Sequence, residues 1–359
     1  MKVLAALSGG VDSSVAAAVL RDEGHEVVGV TMRLWGGESD TGCCSVSEVE
    51  DARRAAAQLD IDHHVFNFGD EFDEHVVEPY VADHLAGRTP NPCVECNRHL
   101  KFDVLLRRAE LLGFDAVATG HHARRVRAVD GTWHVARGAD PAKDQSYVLY
   151  PLQGEALSRV LLPIGHLTKD EVRRRATELG LRTAAKPDSQ DVCFITRARG
   201  RADFLSDRAE LHAGKVLDHD GQQVGSVDAV ELVTIGQRRG LDLAGGTSRR
   251  FVVDVDVPAR TVTVGTAEQL LERELHLQQV VRAGPPVTGE VWAQCSAHGA
   301  PAPAVVEPLE STRDEQQLRL SWHEPRRRVA PGQSVVLYAD RTLDDGVSEA
   351  VVVAGGLVV

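Results

Sequence analysis

The stretch Lys2-Val3-Leu4-Ala5-Ala6-Leu7-Ser8-Gly9-Gly10-Val11-Asp12-Ser13-Ser14 decides how the first half of the chain folds. Its apolar run is of strand length and stops at a Gly-Gly pair, beyond which residues 13–21 carry a helical pattern. Glycines at 9 and 10 let backbone N–H groups close on an anion, and the start of the next helix adds a partial positive charge. Ser13 and Ser14 can cap that helix or donate to phosphate oxygens. A bare Gly-Gly turn is an ordinary structural feature; the whole Ser-Gly-Gly-x-Asp-Ser string is what points to phosphate. No Gly-Lys-[Ser/Thr] follows, so the loop is not of the Walker kind and carries no lysine of its own.

Outward from that loop, residues 25–32, 64–68 and 116–119 read as further short strands, and residues 49–59 and 100–112 as helices. This alternation predicts an α/β fold built on an open parallel sheet with right-handed crossovers. Ligands in such sheets sit beyond the carboxyl ends of strands, so residues 7–14, 32–35 and 119–123 are expected to line one crevice. Past an arginine-rich link at residues 197–201 the texture changes to short alternating strands, at 215–217, 224–227, 250–255 and 261–264, with an Asp220-Gly221 turn. Strands at 290–296, 304–309, 317–322, 334–338 and 349–353 then predict an antiparallel barrel. The expected division is a catalytic α/β domain over 1–200, a small β-rich central domain over 201–270 and a C-terminal β-barrel over 271–359.

A chain of 359 residues with 43% hydrophobic and 26% charged residues is a folded protein of several domains, which excludes disorder, collagen and coiled coil. No apolar run reaches the roughly 18 residues of a membrane helix. The N-terminal apolar run meets Ser8-Gly9-Gly10 at once, unlike a signal peptide. Six cysteines in so long a chain form no disulfide framework and point to a reducing cytoplasm. The net charge of −13 argues against nucleic acid covering the whole surface and leaves room for a local basic track. Candidate segments of such a track are Arg107-Arg108, Arg124-Arg125 with Arg127, Arg173-Arg174-Arg175, Arg238-Arg239, Arg249-Arg250 and Arg326-Arg327-Arg328. Only six of the 40 basic residues are lysine, which makes each lysine mildly informative.

The loop resembles the pyrophosphate loop of N-type ATP pyrophosphatases, which cleave ATP between its α and β phosphates and adenylate a carbonyl oxygen. Four more strings narrow the resemblance: Thr89-Pro90-Asn91-Pro92-Cys93-Val94-Glu95-Cys96-Asn97, Ala118-Thr119-Gly120-His121-His122, Lys143-Asp144-Gln145-Ser146-Tyr147 and Asp188-Ser189-Gln190-Asp191-Val192-Cys193-Phe194. With looser matches at Thr234-Ile235-Gly236-Gln237 and Ala330-Pro331-Gly332-Gln333, nearly the whole chain resembles the bacterial tRNA-specific 2-thiouridylases. The resemblance implies ATP contacts at Ala6, Leu7, Ser8, Gly9, Gly10, Val11, Asp12, Ser13, Met32 and Gly120. Asp12 would position Mg2+ or the leaving pyrophosphate, as suits a hard oxygen ligand. It implies tRNA or target-base contacts at Asn91, Pro92, Cys93, His121, Lys143, Asp144, Gln145 and Gln333. The implied partners are tRNA and a cysteine desulfurase or sulfur-relay protein, with no membrane.

Replacing a carbonyl oxygen by sulfur requires the oxygen to become a leaving group and sulfur to arrive as a nucleophile. ATP supplies the first, a cysteine persulfide the second, and another thiol must free the product by forming a disulfide. The resemblance assigns the persulfide to Cys193 and the nucleophile to Cys96, with a transient Cys96–Cys193 disulfide. Cys93-x-x-Cys96 is half of a zinc pattern, but no second pair at knuckle spacing completes it. An iron–sulfur cluster on Cys93, Cys96 and Cys193 is an open alternative, since three thiolates leave one iron able to bind sulfide; the persulfide is preferred. Cys43-Cys44, in a Gly-rich loop over residues 36–45, is given no catalytic role. Neighbouring His121 and His122 in extended chain point to opposite faces, which disfavours a metal pair.

Two positions depart from the family's pattern. A His-x-Gly motif before Thr234 is replaced by Val227, Asp228 and Ala229, and an Arg-Tyr pair in the barrel by Cys295-Ser296. Both fall on tRNA-anchoring positions of the last two domains. A lysidine or argininosuccinate synthetase-like ligase, needing no paired thiols, and an ATP-gated RNA-binding or redox module are the competing functional classes.

Overall fold

A computed structural model describes residues 1–34, 46–188, 192–195, 200–243, 249–309 and 317–359; Trp35, Cys43, Cys44 and residues 189–191 and 197–199 lie outside these. Strands β1 (Lys2–Ala6), β2 (Glu26–Arg33), β3 (His63–Asn67) and β4 (Ala116–Ala118) form the sheet that the alternating pattern predicts. Between β4 and the last strand of this sheet the chain makes a hairpin, β5 (Ala123–Arg127) and β6 (Trp133–Arg137), then returns as β7 (Val160–Leu161). The order is β3-β2-β1-β4-β7, every pair parallel.

Period-two alternation sends successive β1 side chains to opposite faces. Val3 and Ala5 join Val15, Ala18 and Leu20 of helix α1 (Val11–Asp22) in one apolar cluster, while Leu4 joins Val30, Phe68, Phe72 and Val117 in another. A sheet buried on both faces is what unbroken apolar strands require. After β1 the chain goes first to β2 on one side and later to β4 on the other. The strand order therefore reverses at β1, and a crevice opens between the carboxyl ends of β1 and β4.

The central domain is a four-stranded sheet of β8 (Gly214–Leu217), β9 (Gln223–Val227), β10 (Phe251–Asp256) and β11 (Thr261–Gly265), around Val216, Val230, Val252 and Val262. Then β12 (Leu271–Arg282), β13 (Gly289–Gln294), β14 (Ala302–Leu309), β15 (Gln317–Arg327), β16 (Ser334–Thr342) and β17 (Ser348–Val358) follow. Pairing of β12 with both β15 and β17 closes these six into an antiparallel barrel.

Three elements differ from expectation. Strand β12 was not foreseen, because it is exposed through its charged Leu271–Glu274 end and buries only Leu275 and Leu277 fully. The β5–β6 hairpin belongs by sequence to the first domain, yet β6 pairs with β17 at Ala136–Val351 and extends the barrel's sheet. The expected helix at 100–112 begins earlier: Pro92–Glu95 forms a turn capped by Asn91, Cys96–Val104 is π-helical, and Leu105–Leu111 is α-helical. A further helix, Lys169–Glu178, opens on a capping box between Thr168 and Glu171.

Candidate nucleotide and thiol site

The Gly-Gly loop joins β1 to α1 at the crevice. Gly9 has φ +72°, and a Cβ there would lie 2.4 Å from the Glu48 carbonyl oxygen, so the position demands glycine on two counts. Helix α1 starts at Val11 with Gly10 as an N-cap that offers no side-chain acceptor. Ser13 and Ser14, expected as caps, lie inside the first turn, and both hydroxyls donate back to the Gly10 carbonyl, at 3.2 and 2.9 Å. The N–H groups at this helix start are therefore uncapped by side chains, which is the arrangement that suits an anion.

Gly120, at the end of β4, meets the loop from the other side. A Cβ at Gly120 would stand 2.5 Å from the Ser13 nitrogen and 2.7 Å from the Asp12 carbonyl carbon. Only backbone fits there. His121 turns inward: it is 8% exposed, 2.8 Å from Thr119 Oγ1 and 3.4 Å from Lys101 Nζ. Burial first, then the charges of Lys101 and His122, holds its imidazole well below the usual range, and so neutral. His122 turns toward the loop, with Nε2 3.2 Å from Asp12 Oδ1 and a buried Nδ1 that has no hydrogen-bond partner among the described residues.

The cation missing from the loop's own sequence comes from the helix Lys169–Glu178. Lys169, 7% exposed, places Nζ 2.8 Å from each Asp12 carboxylate oxygen and 2.8 Å from Asp188 Oδ1. Burial would raise the Asp12 pKa, but His122 and Lys169 outweigh it and hold the carboxyl below its ordinary range. Lys186 donates to the Gly9 carbonyl at 3.1 Å and to Asp51 at 2.8 Å. Lys143 reaches Asp188 Oδ2 at 2.8 Å. Two of the six lysines thus reach the loop itself, and Lys143 joins Lys169 through Asp188. Their scarcity and the Thr168-x-x-Glu171 box were the signals by which the sequence could have flagged Lys169.

Of the other predicted residues, Asp144 faces the protein. It is ion-paired to Arg137 at 2.7 Å and accepts from the Gly138 and Ser146 nitrogens and the Ser146 hydroxyl. Arg137 in turn donates to Gln294 of the barrel at 2.9 Å and lies over the Tyr338 ring. Gln145 accepts from the His122 nitrogen at 2.8 Å, tying this triplet to Asp12 through His122. Several arginines of the expected basic track are likewise held internally. Arg124 pairs with Glu349, Arg125 donates to the Ser158 carbonyl and stacks on Trp133, and Arg173 pairs with Asp188.

Cys96, buried, and Cys193, half-buried, pack against the same apolar cluster as Met32. Phe194, next to Cys193, is buried against Phe72, Tyr80 and Phe204. Cys93 is exposed, and its nitrogen donates to Asn91 Oδ1 at 3.2 Å. Pro92 is buried beside it. The barrel reaches this segment through a Thr89 N to Pro331 O hydrogen bond of 2.7 Å, which sets Gln333 on the adjoining loop. At the two departures from the family pattern, Val227 and Ala229 are core residues, and burial first pushes the Cys295 thiol up to about 12.

The uncapped α1 start, the two Cβ-excluding glycines and the orphaned His122 nitrogen fit a nucleotide's phosphates. Asp12 is a hard oxygen donor of the kind Mg2+ takes, and in this structure Lys169 holds both of its oxygens. Among the described residues no three His, Cys, Asp or Glu side chains gather as metal ligands do. Nor is any helix among them long and apolar enough to cross a membrane.

Residues 1–197 match the tRNA methyl transferase HUP domain family, 202–266 the tRNA methyl transferase PRC-barrel domain and 274–343 the aminomethyltransferase beta-barrel domain. The tRNA-specific 2-thiouridylase MnmA of Acidothermus cellulolyticus is 46% identical over 350 residues, covering 95% of this chain and 95% of that protein. The protein of the same name from Beutenbergia cavernae is 45% identical over 349 residues, covering 94% of this chain and 92% of that one. A solved structure of the U34-tRNA thiolase NcsA from Methanococcus maripaludis, with its 4Fe-4S cluster, is similar at a TM-score of 0.36 and 20% identity, over 58% of this chain and 63% of that chain.

Proposed function

Because the chain belongs to the tRNA-specific 2-thiouridylase family, we propose that it replaces the C2 oxygen of the wobble uridine of tRNA by sulfur, using ATP. The observation that carries the reading is the packing of Cys96 and Cys193, distant in sequence, on one apolar cluster with Met32 at the carboxyl end of the sheet.

The loop Ser8–Ser13 and its helix start hold the phosphates, with Gly120 closing the far wall and Met32 beside the adenine. Asp12 holds Mg2+ when it is bound, and the metal offsets charge on the phosphates. The uracil O2 attacks the α-phosphorus, the bond to the β-phosphate breaks and pyrophosphate leaves. Lys169 stabilises the charge that builds on these oxygens, where a fixed cation acts most strongly in a site shielded from water. The terminal sulfur of a Cys193 persulfide then attacks C2, and AMP departs with the former O2. The Cys96 thiolate attacks Cys193 Sγ, forming the Cys96–Cys193 disulfide. The sulfur–sulfur bond to the base breaks, and its electron pair stays on the new thiocarbonyl.

A thiol reductant resets the pair, and a cysteine desulfurase or relay protein reloads Cys193. Half-buried Asn91, buried Pro92 and exposed Cys93 border the place of the extruded base, with Gln333 on the adjoining barrel loop; Lys143 meets RNA phosphate. His121, buried and neutral, supports the wall of this site, and its partner His122 orients Asp12. Mass spectrometry of tRNA nucleosides after incubation with the protein, ATP, Mg2+, cysteine and a cysteine desulfurase tests the reading. 2-Thiouridine that requires ATP is the expected product, and its absence with a competent desulfurase and unmodified tRNA would overturn the proposal.

A further inference from the structure

Three cations converge on one carboxylate beside the loop. Asp188 Oδ2 lies 2.8 Å from Lys143 Nζ, and its Oδ1 lies 2.8 Å from both Lys169 Nζ and Arg173 Nη2. Arg173 is fixed independently, because its Nη1 donates to the Ala184 and Lys186 carbonyls at 2.8 and 3.1 Å. Lys169 is shared with Asp12. Lys143, Lys169 and Arg173 are balanced by Asp12, Asp188 and Asp140, the last set against Lys143 and accepting from the Lys169 nitrogen at 3.0 Å. Moving Asp188 aside leaves a net positive group that an incoming anion can satisfy.

The geometry points to Asp188 as a stand-in for substrate phosphate: we propose that it occupies, in the empty site, the place beside Lys169 that a nucleotide's pyrophosphate group takes, and that it returns to that place to help expel pyrophosphate after adenylation. This rests on the nucleotide reading of the loop. The argument is one of competition. A pyrophosphate group carries more charge than a carboxylate and offers more acceptor oxygens to ammonium and guanidinium donors, so it can take Lys169 from Asp188. Asp188 stays close during the exchange, since Arg173 is held by its own carbonyl partners and keeps one carboxylate oxygen. Once the bond to the α-phosphate has broken, the same carboxylate competes for the same ammonium group, which weakens the hold on the product. Asp188 is thus a positioning residue that sets how tightly the site grips pyrophosphate, and it need not touch the reacting atoms.

The two readings of this carboxylate predict opposite signs. A carboxylate that only orders the lysines for substrate would, when neutralised, weaken phosphate binding. A stand-in would, when neutralised, strengthen it, because the cluster gains one unit of net positive charge and the competing carboxylate is gone. Calorimetric titration of inorganic pyrophosphate, with Mg2+, into the full-length protein and its Asp188→Asn and Asp188→Glu variants separates them. Asp188→Asn is expected to bind pyrophosphate about ten-fold more tightly, with a gain that shrinks as salt is raised. Asp188→Glu keeps the charge and is expected to bind close to the wild type.

In turnover, Asp188→Asn should keep its first-turnover burst of AMP formation while its steady-state rate falls and inhibition by added pyrophosphate deepens. Equal or weaker pyrophosphate binding by Asp188→Asn, in a protein whose wild type binds ATP, overturns the stand-in and leaves the nucleotide reading intact. A wild type that binds neither ATP nor pyrophosphate overturns both.

Discussion

Lys169 Nζ lies 2.8 Å from both carboxylate oxygens of Asp12, so a residue far along the chain supplies the cation that a Walker loop carries within its own sequence. Lys169 and His122 hold the Asp12 carboxyl below its ordinary range. Lys169→Met removes the cation while keeping an unbranched side chain. Adenylation should fall by two or more orders of magnitude, the usual scale for a lost transition-state charge contact. Asp12→Asn should fall by a similar factor, since it loses the hard oxygen donor without changing size. AMP formation at wild-type rate in either variant would remove that residue from the chemistry.

The acid limb of stability follows from the same carboxylates. Asp188 is held near 2 against an ordinary 3.8: burial opposes the shift, and Lys143 and Lys169 overcome it. Asp12 is lowered for a like reason. A carboxyl whose folded pKa is depressed contributes stability that is complete above the unfolded value and lost as pH falls through the folded one. The melting temperature of the wild type should therefore drop between pH 4 and pH 2, and the drop should be shallower in Asp188→Asn. Parallel pH profiles for the two proteins would contradict this account.

Gly120→Ala tests the wall facing the loop. The new methyl would press on the Ser13 nitrogen and the Asp12 backbone, neither of which is a flexible side-chain end. ATP binding should weaken by at least ten-fold as the loop is displaced, while far-ultraviolet circular dichroism stays that of the wild type. Unchanged nucleotide affinity would mean that the two segments do not approach so closely.

Activation and sulfur delivery should separate at the thiols. Cys193→Ser and Cys96→Ser are each expected to abolish 2-thiouridine while AMP release persists, and Cys96→Ser should still accept a labelled persulfide on Cys193. One turnover of the wild type without reductant should leave a Cys96–Cys193 disulfide, identified by peptide mass mapping. Activity that instead tracks bound iron, with no such bridge after turnover, would favour a cluster.

Lys143 and Asp144 are neighbours with different expected phenotypes. Lys143→Ala should weaken tRNA binding and reduce its salt dependence by about one phosphate contact. Asp144→Ala should act on stability, because it leaves Arg137 beside the barrel without its carboxylate. A loss of about 3 kcal/mol, read as a lower urea midpoint, is the scale for breaking a mostly buried pair. A wild-type urea midpoint for Asp144→Ala would show that the hairpin and barrel do not depend on this pair.

Local pattern carried much of this protein's reading. The apolar run ending in Gly9-Gly10 and the strand–helix alternation each announce themselves over a few residues, because strand burial and left-handed φ are short-range properties. Strand β12 escaped because it buries little of its charged first half, so no alternation marks it. The hairpin β5–β6 could not be assigned to the barrel from its sequence, since its partner β17 lies more than two hundred residues later and pairing across that distance leaves no local trace.

The site divides in the same way. That the first loop suits phosphate was legible from residue type and spacing; the roles expected of Cys96 and Cys193 came from the resemblance to a family. That His122 rather than His121 meets Asp12, that Lys169 arrives from a separate helix, and that Asp144 is consumed by Arg137 were decided only when the sheet, the helix Lys169–Glu178 and the barrel came together. Charge pairing depends on distance in space. A chain with few lysines could mark which cations mattered, but only its packing chose their partners.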